Sequence, residues 1–451
     1  MSYKKDKLAF LGRASFLILI LPYLVIIAPG LILSPLTSIV NIIVFILTLT
    51  LISIFYVKLF NPVPNRIYLH ILFNSIILTV FYYDSIFLRI YNSLNFIFIK
   101  QEVSLGYVIP TVFVLSFGVQ FFFRKHIKLY TKVINVFFLI FFLNTLFYKY
   151  NQNKLFFVEK VGHYKPLDIK PNIGKVMPTI LLIVDEYASP DDLYNHYRDS
   201  AIFNFSNFLT KNNWNVTQRN YSYDTMTITS LASIFNFNFN KTDEYISSYD
   251  YSGQRLIKSE LYDSLMAKGC AFYNYGIFDI GDTKVKYDQV YLYAKNFTQQ
   301  ALNRSLFNRN NFLNDNENGD HFRQNSYILD SCLSKLSQIK RDDFVVYMHL
   351  LMPHQPYSFG NEFRVSAKQT QRNIENYYAY WKFSNTKLLK LVTELIKDNR
   401  YKIILTGDHG FRRVNEVPTH YTFTAFYGYD SSQLTNLKSV QDIGSLINAS
   451  Y

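Results

Sequence analysis

The chain has 451 residues, 49% hydrophobic and 18% charged, with a formal net charge of +13. That length allows two or three domains, and the charged fraction falls below the roughly 25% of typical soluble domains. Its two cysteines are too few for a zinc–thiolate site.

The average hides a sharp division. Five apolar runs, 14–33, 38–57, 67–88, 107–123 and 127–148, fit the rule that about 20 apolar residues cross a bilayer. Lys4, Lys5, Lys7 and Arg13 precede the first run, Lys58 and Arg66 separate the second from the third, and Arg124, Lys125 and Lys128 separate the fourth from the fifth. The opposite connections hold only Arg89 and Lys100. Basic residues mark the cytoplasmic side. The N-terminus is therefore expected in the cytoplasm, and an odd number of spans puts the C-terminal part outside it. The first run is long and lacks a small-residue cleavage site, so it is expected to remain as an anchor. Much of the positive charge belongs to these loops. Membrane and anionic lipid are thus expected partners, and nucleic acid is not.

Residues 149–177 form a connector in which Pro166 and Pro171 oppose a continuous helix. From about Asn151 the composition becomes that of a soluble protein, and the α/β domain is expected from residue 178. The run 179–184 is short, apolar and β-branched, the pattern of a buried parallel strand. Helices are expected over 203–211, 226–235 and 260–268, a strand over 270–275, a strand over 343–350, a long amphipathic helix over 377–398 and a strand over 402–406. Alternation of this kind implies a mostly parallel sheet with helices on both faces. The expected architecture is an α-helical transmembrane bundle over 1–148, the connector, and an α/β domain over 178–451. Cys270 and Cys332 fall in the outer domain, where one disulfide or two buried free thiols are equally compatible with the sequence.

Ligands of parallel α/β sheets sit at the carboxyl ends of strands, and the chemically suggestive residues fall there. Asp185 and Glu186 follow the first strand. Their oxygens suit a divalent cation, although for these two acids taken alone helix capping is the favoured reading. Asp408 and His409, between Gly407 and Gly410, supply oxygen and nitrogen ligands that suit zinc, with the glycines expected to permit a tight turn. His349 and His354 flank Pro353 and are candidates for a second metal or an anionic oxygen. Thr225, Thr227 and Thr229 lie at a helix start, where a cation would activate a hydroxyl and free N–H groups would cradle phosphate. Capping also accounts for them, and these residues alone do not separate the three.

The motifs, in order, resemble the alkaline phosphatase/sulfatase superfamily over roughly 178–425. PTILLIVDE ending at Glu186 looks like the opening strand and its acids. NFSNFL from Asn204 looks like the next helix. TITSLASI from Thr227 looks like the nucleophile helix. Asp343 to Tyr357 resembles the strand ending in His-x-x-x-Pro-His-x-Pro-Tyr, and LTGDHG from Leu405 resembles the closing metal motif. Membrane spans before such a domain resemble the phosphoethanolamine and phosphoglycerol transferases of bacterial envelopes. The resemblance implies an alkaline phosphatase-like fold and one or two zinc ions. It implies Thr227 as nucleophile and ligand, with Asp185, Glu186, Asp408 and His409 around the metal. His354, His349 and His420 would contact the transferred group or a second ion. It further implies a multi-pass protein of the bacterial cytoplasmic membrane, moving a phospho-headgroup from an anionic phospholipid to an envelope glycan or lipid. Two departures stand out. Thr227 and Leu231 break the Cys/Ser-Pro-Arg pattern of sulfatases, which disfavours sulfate esters. Two cysteines cannot supply the several disulfides usual in phosphoethanolamine transferases. A phosphoester or sulfate-ester hydrolase, or a non-catalytic lipid-binding module on this scaffold, are the competing expectations.

Overall fold

The computed structural model describes residues 176–237, 252–285, 321, 323–355, 357, 373–397, 399–412 and 417–451, with short helical pieces at Tyr68, Ile71, Leu72, Ser75 and within 113–122. The expected membrane spans lie almost wholly outside the described residues. Among these residues no helix is long and apolar enough to cross a membrane. The sheet and its helices belong to the compact unit formed by Lys160–Tyr293 and Leu313–Tyr451.

The elements of this unit, in chain order, are β1 (Thr179–Val184), α1 (Pro190–Tyr197), α2 (Asn204–Lys211), β2 (Asn215–Tyr221), α3 (Thr227–Phe235), α4 (Glu260–Ala267), β3 (Ala271–Tyr275), α5 (Leu333–Leu336), β4 (Phe344–Leu350), α6 (Ile374–Ile396), β5 (Lys402–Gly407), β6 (Tyr421–Tyr427), α7 (Ser431–Leu434) and α8 (Ile443–Ala449). The strands form one sheet in the order β2-β6-β5-β1-β4-β3. β3, β4, β1 and β5 run parallel. β6 is antiparallel to β5 and β2. The expected mostly parallel sheet flanked by helices is present.

β1, β4 and β5 are buried at every residue, as parallel strands covered on both faces must be. Two cores result. One packs Ile180, Leu182, Val346 and Leu405 against the side carrying α1, α2 and α6. The other packs Leu181, Ile183, Val345 and Tyr347 against α3, α4 and α8. Side-chain hydrogen bonds set the helix starts: Ser189 accepts from the Asp192 N–H, Ser259 from that of Tyr262 and Asn373 from that of Asn376.

Several boundaries differ from the sequence expectation. The long helix begins at Ile374, because Asn373 caps it. β2 and β6 appear where no strand was expected. β2 is an edge strand of sequence NVTQRNY with no fully buried residue, so it carries no apolar run. Cys270 and Cys332 are buried free thiols, each held near pKa 12 first of all by burial. The possible disulfide is not formed.

Candidate metal centre

The register brings three strand ends together. Val184 pairs with Leu350 on one side and with Gly407 on the other. The next residues, Asp185 and Asp408, therefore emerge side by side, and the Asp185 N–H donates to the Leu350 carbonyl at 2.9 Å. The first residue of α3, Thr227, faces them. Its Oγ1 donates to Asp185 Oδ1 at 3.2 Å and lies 3.5 Å from His409 Nε2. Asp185, Thr227, His349, Asp408 and His409 are each at most 8% exposed. The neighbouring hydroxyl of Thr229 bonds back to the Met226 carbonyl and lies against Asp224, so of the two helical threonines it is Thr227 that faces Asp185.

The loop after β5 is held from several directions. Ser222 and Ser230 hydroxyls both donate to the Asp408 carbonyl at 2.8 Å, and Gln441 Nε2 donates to both serine oxygens. Asp408 Oδ1 accepts from the N–H groups of Glu186 and His409. Gly407 and Gly410 serve here through space and not through a left-handed backbone. A Cβ on Gly407 would stand 2.0 Å from Thr422 Oγ1, and one on Gly410 would stand 2.4 Å from the Tyr421 carbonyl oxygen.

The unsatisfied atoms test whether the cluster suits a cation. His409 Nδ1 lies 2.8 Å from the Gly410 carbonyl, which only accepts, so the ring proton sits on Nδ1 and the Nε2 lone pair faces inward. That lone pair meets Asp408 Oδ2 at 3.3 Å, and Asp408 Oδ2 makes no hydrogen bond. A lone pair against a buried carboxylate oxygen is repulsive unless a cation lies between them. Asp185, Asp408 and His409 each offer an atom within 4.8 Å of the others. Ligands bound to zinc at about 2.0–2.1 Å in a tetrahedron stand about 3.3–3.4 Å apart. The contacts of Thr227 with Asp185 (3.2 Å) and with His409 (3.5 Å), and of His409 with Asp408 (3.3 Å), cluster at that spacing. The donor set fits a divalent cation.

The electrostatics agree. Burial, then the charge of Asp408, raises Asp185 to about 7, against the opposing charges of His354 and Arg412. Burial lowers His409 to about 3 and His349 to about 4. Crowded carboxylates and neutral imidazoles form a negative, nitrogen-bearing cage.

The remaining predicted residues lie differently. Glu186 takes a left-handed backbone with φ 60°, uncommon for a residue with a Cβ. Its N–H is held by Asp408, and its carbonyl accepts from the Tyr377 hydroxyl at 2.7 Å. This turns its carboxylate toward Arg412, whose N–H donates to Oε1 at 3.2 Å, and toward His354, 3.8 Å from Oε2. His354 Nε2 in turn meets the Arg412 guanidinium at 3.2 Å. Glu186, His354 and Arg412 thus form a second group beside the first. His349 lies in β4, fully buried, with Nε2 3.5 Å from Asp185 Oδ2. His420 is tied to the Ser222 carbonyl at 2.9 Å and stacks on Tyr221. The sequence reading missed Arg412, Ser222, Gln441 and Tyr347. Arg412 stands two residues beyond Gly410, in the same loop as the metal motif, and that position was the available signal.

No family model matches the chain, and no curated protein matches it. Solved structures do align with it. The integral membrane protein lipooligosaccharide phosphoethanolamine transferase A (EptA) from Neisseria meningitidis aligns over 98% of this chain and 95% of its own, at 13% identity and a TM-score of 0.40. The zinc complex of the C-terminal periplasmic domain of EcEptC from Escherichia coli covers 62% of this chain and 83% of its own, at 12% identity and a TM-score of 0.36. The lipoteichoic acid synthase LtaP from Listeria monocytogenes covers 58% and 70%, at 12% identity and a TM-score of 0.37. These are the kinds of protein that the sequence motifs resemble. At such distant likeness it is the chain's own site residues that carry the functional reading.

Proposed function

We propose that residues 178–451 form an extracytoplasmic catalytic domain on a multi-pass membrane anchor, which moves a phospho-headgroup from an anionic phospholipid to a hydroxyl of an envelope glycan or lipid through a phospho-threonine at Thr227. The observation that carries this reading is the Thr227 hydroxyl at the start of α3, 3.2 Å from Asp185 Oδ1 and 3.5 Å from the inward lone pair of His409.

A divalent cation such as zinc, held by Asp185, Asp408 and His409 around the Thr227 oxygen, would lower the hydroxyl's pKa and neutralise charge on the phosphoryl oxygens. The chain's residues perform the rest. Asp185, already accepting from the hydroxyl, takes the proton as Thr227 Oγ1 bonds to phosphorus and the lipid alkoxide leaves. That proton passes to the departing alcohol, so the first half-reaction balances. The acceptor hydroxyl then attacks the same phosphorus, its proton is left on the regenerated Thr227, and the headgroup phosphate is transferred. The first-turn N–H groups of α3 have no intrahelical partners and would be available to the equatorial oxygens, as phosphoryl transfer requires. Arg412, beside Glu186 and His354, adds positive charge at the edge of the site.

The test is peptide mass spectrometry of the full chain after incubation with bacterial phospholipids and zinc. A headgroup-phosphate adduct on Thr227, absent from Thr227→Ala, is expected. Undiminished turnover by Thr227→Ala would remove the reading.

A further inference from the structure

His349 is buried without any exposed surface, and its Nε2 makes no hydrogen bond. It is not a surface loop histidine. Two residues earlier in β4, on the same face of the strand, Tyr347 places its hydroxyl 2.8 Å from His349 Nδ1. Tyr347 is itself immobilised. Phe235 packs edge-on against its ring at 5.3 Å between centroids, and a Cβ on Gly276 would stand 2.0 Å from its Cε1. Gln324, 1% exposed, donates to the carbonyls of Tyr275, Gly276 and His349. It thereby ties β4 to the turn that follows β3.

The other side of the imidazole decides the tautomer. Nε2 faces Asp185 Oδ2 at 3.5 Å. If Nδ1 carried the proton, a lone pair would face a carboxylate oxygen in a fully buried place, and His349, unlike His409, stands outside the Asp185–Asp408–His409 group that could place a cation between them. With the phenol donating to Nδ1, the proton sits on Nε2, 3.5 Å from the carboxylate oxygen, a contact that is electrostatically attractive without being a hydrogen bond. Asp185 is thus addressed on two sides, its Oδ1 by Thr227 and its Oδ2 by His349.

We propose that Tyr347 and His349 form a positioning relay that orients the Asp185 carboxylate for cation binding, with His349 acting through Asp185 and not as a ligand itself. The inference rests on the cation reading above. Outer partners of this kind commonly change metal affinity 10- to 100-fold when removed.

Cobalt(II) alone, titrated into the metal-free full chain and followed by its ligand-field absorption, tests the relay. Tyr347→Phe is expected to weaken cobalt affinity about 10- to 100-fold with the spectrum at saturation unchanged. His349→Ala should lose at least as much, again without a change of spectrum. The double variant should lose no more than His349→Ala, because the hydroxyl works only through the imidazole. Should Tyr347→Phe fail to fold, His349→Gln takes its place. Its side-chain N–H should retain more affinity than Ala, and equal loss in the two overturns the relay. Wild-type affinity in a folded Tyr347→Phe overturns it, and so does an altered saturated spectrum in His349→Ala, which would make His349 a ligand. A wild-type chain that takes up no cobalt overturns the cation reading and the relay together, whereas a cobalt-binding wild type with a silent Tyr347→Phe removes the relay alone.

Discussion

Replacing Asp185 by Asn removes a charge that the metal-free fold accommodates poorly. Burial and Asp408 raise this carboxyl from 3.8 to about 7. At 1.36 kcal/mol per pH unit, ionised Asp185 costs the metal-free fold roughly 4 kcal/mol. A folded-state pKa above the unfolded value means that the folded chain holds the extra proton. The stability tied to that proton is complete below about pH 4 and is lost as the pH rises to about 7. Asn carries no such charge, and its amide oxygen can still accept from Thr227. Burying the amide costs about 1 kcal/mol. Metal-free Asp185→Asn at pH 8 should therefore be more stable than wild type by roughly 2–4 kcal/mol, and the gap should close toward pH 4. Urea unfolding of the chelated full chain measures this through tryptophan fluorescence. Both tryptophans of the chain, Trp214 and Trp381, are buried in this domain, so the signal reports it alone. Zinc at about 100 times its dissociation constant should add about 2.7 kcal/mol to wild type and nothing to Asp185→Asn. A variant less stable than wild type in chelator at pH 8, or one equally stabilised by zinc, would refute the reasoning.

Two further outcomes concern residues around the cluster. Gly410→Ala places a Cβ 2.4 Å from the Tyr421 carbonyl oxygen and 3.0 Å from that of Pro418, a backbone cage that cannot swing aside. A stability loss of about 1–3 kcal/mol, together with weakened zinc uptake as His409 shifts, is expected in urea titrations and metal analysis, and wild-type values in both would contradict it. Asp224, buried and raised to about 6 against the hydrogen bond from Ser233, is not part of the metal cluster. Asp224→Asn should gain up to about 3 kcal/mol over wild type as the pH climbs from about 4 to above 6, and a stability difference flat with pH would exclude a buried, ionising Asp224.

The continuous apolar runs 179–184 and 402–406, and the strand expected over 343–350, were legible in the chain because central parallel strands are buried on both faces and have no need of alternation. Their order along the chain was enough to place acids and histidines at strand ends. The polar edge strand β2 was not legible, since half its surface faces away from the core and its pattern is that of a loop. Cys270 and Cys332 were equally silent, because pairing depends on separation in space.

What the amino-acid order determined by itself was the division into an apolar N-terminal part and an α/β domain, and the short list of residues able to hold a cation. What only the tertiary structure decided was how that list divides. Asp185 turns into the cluster while Glu186, one residue on, is twisted by its left-handed backbone toward Arg412 and His354. Thr227 meets an acid 42 positions away, and the Glu186 N–H meets one 222 positions away. Charge, ligation and proton position depend on neighbours through space at about 3 Å, and sheet register, not chain order, sets those neighbours.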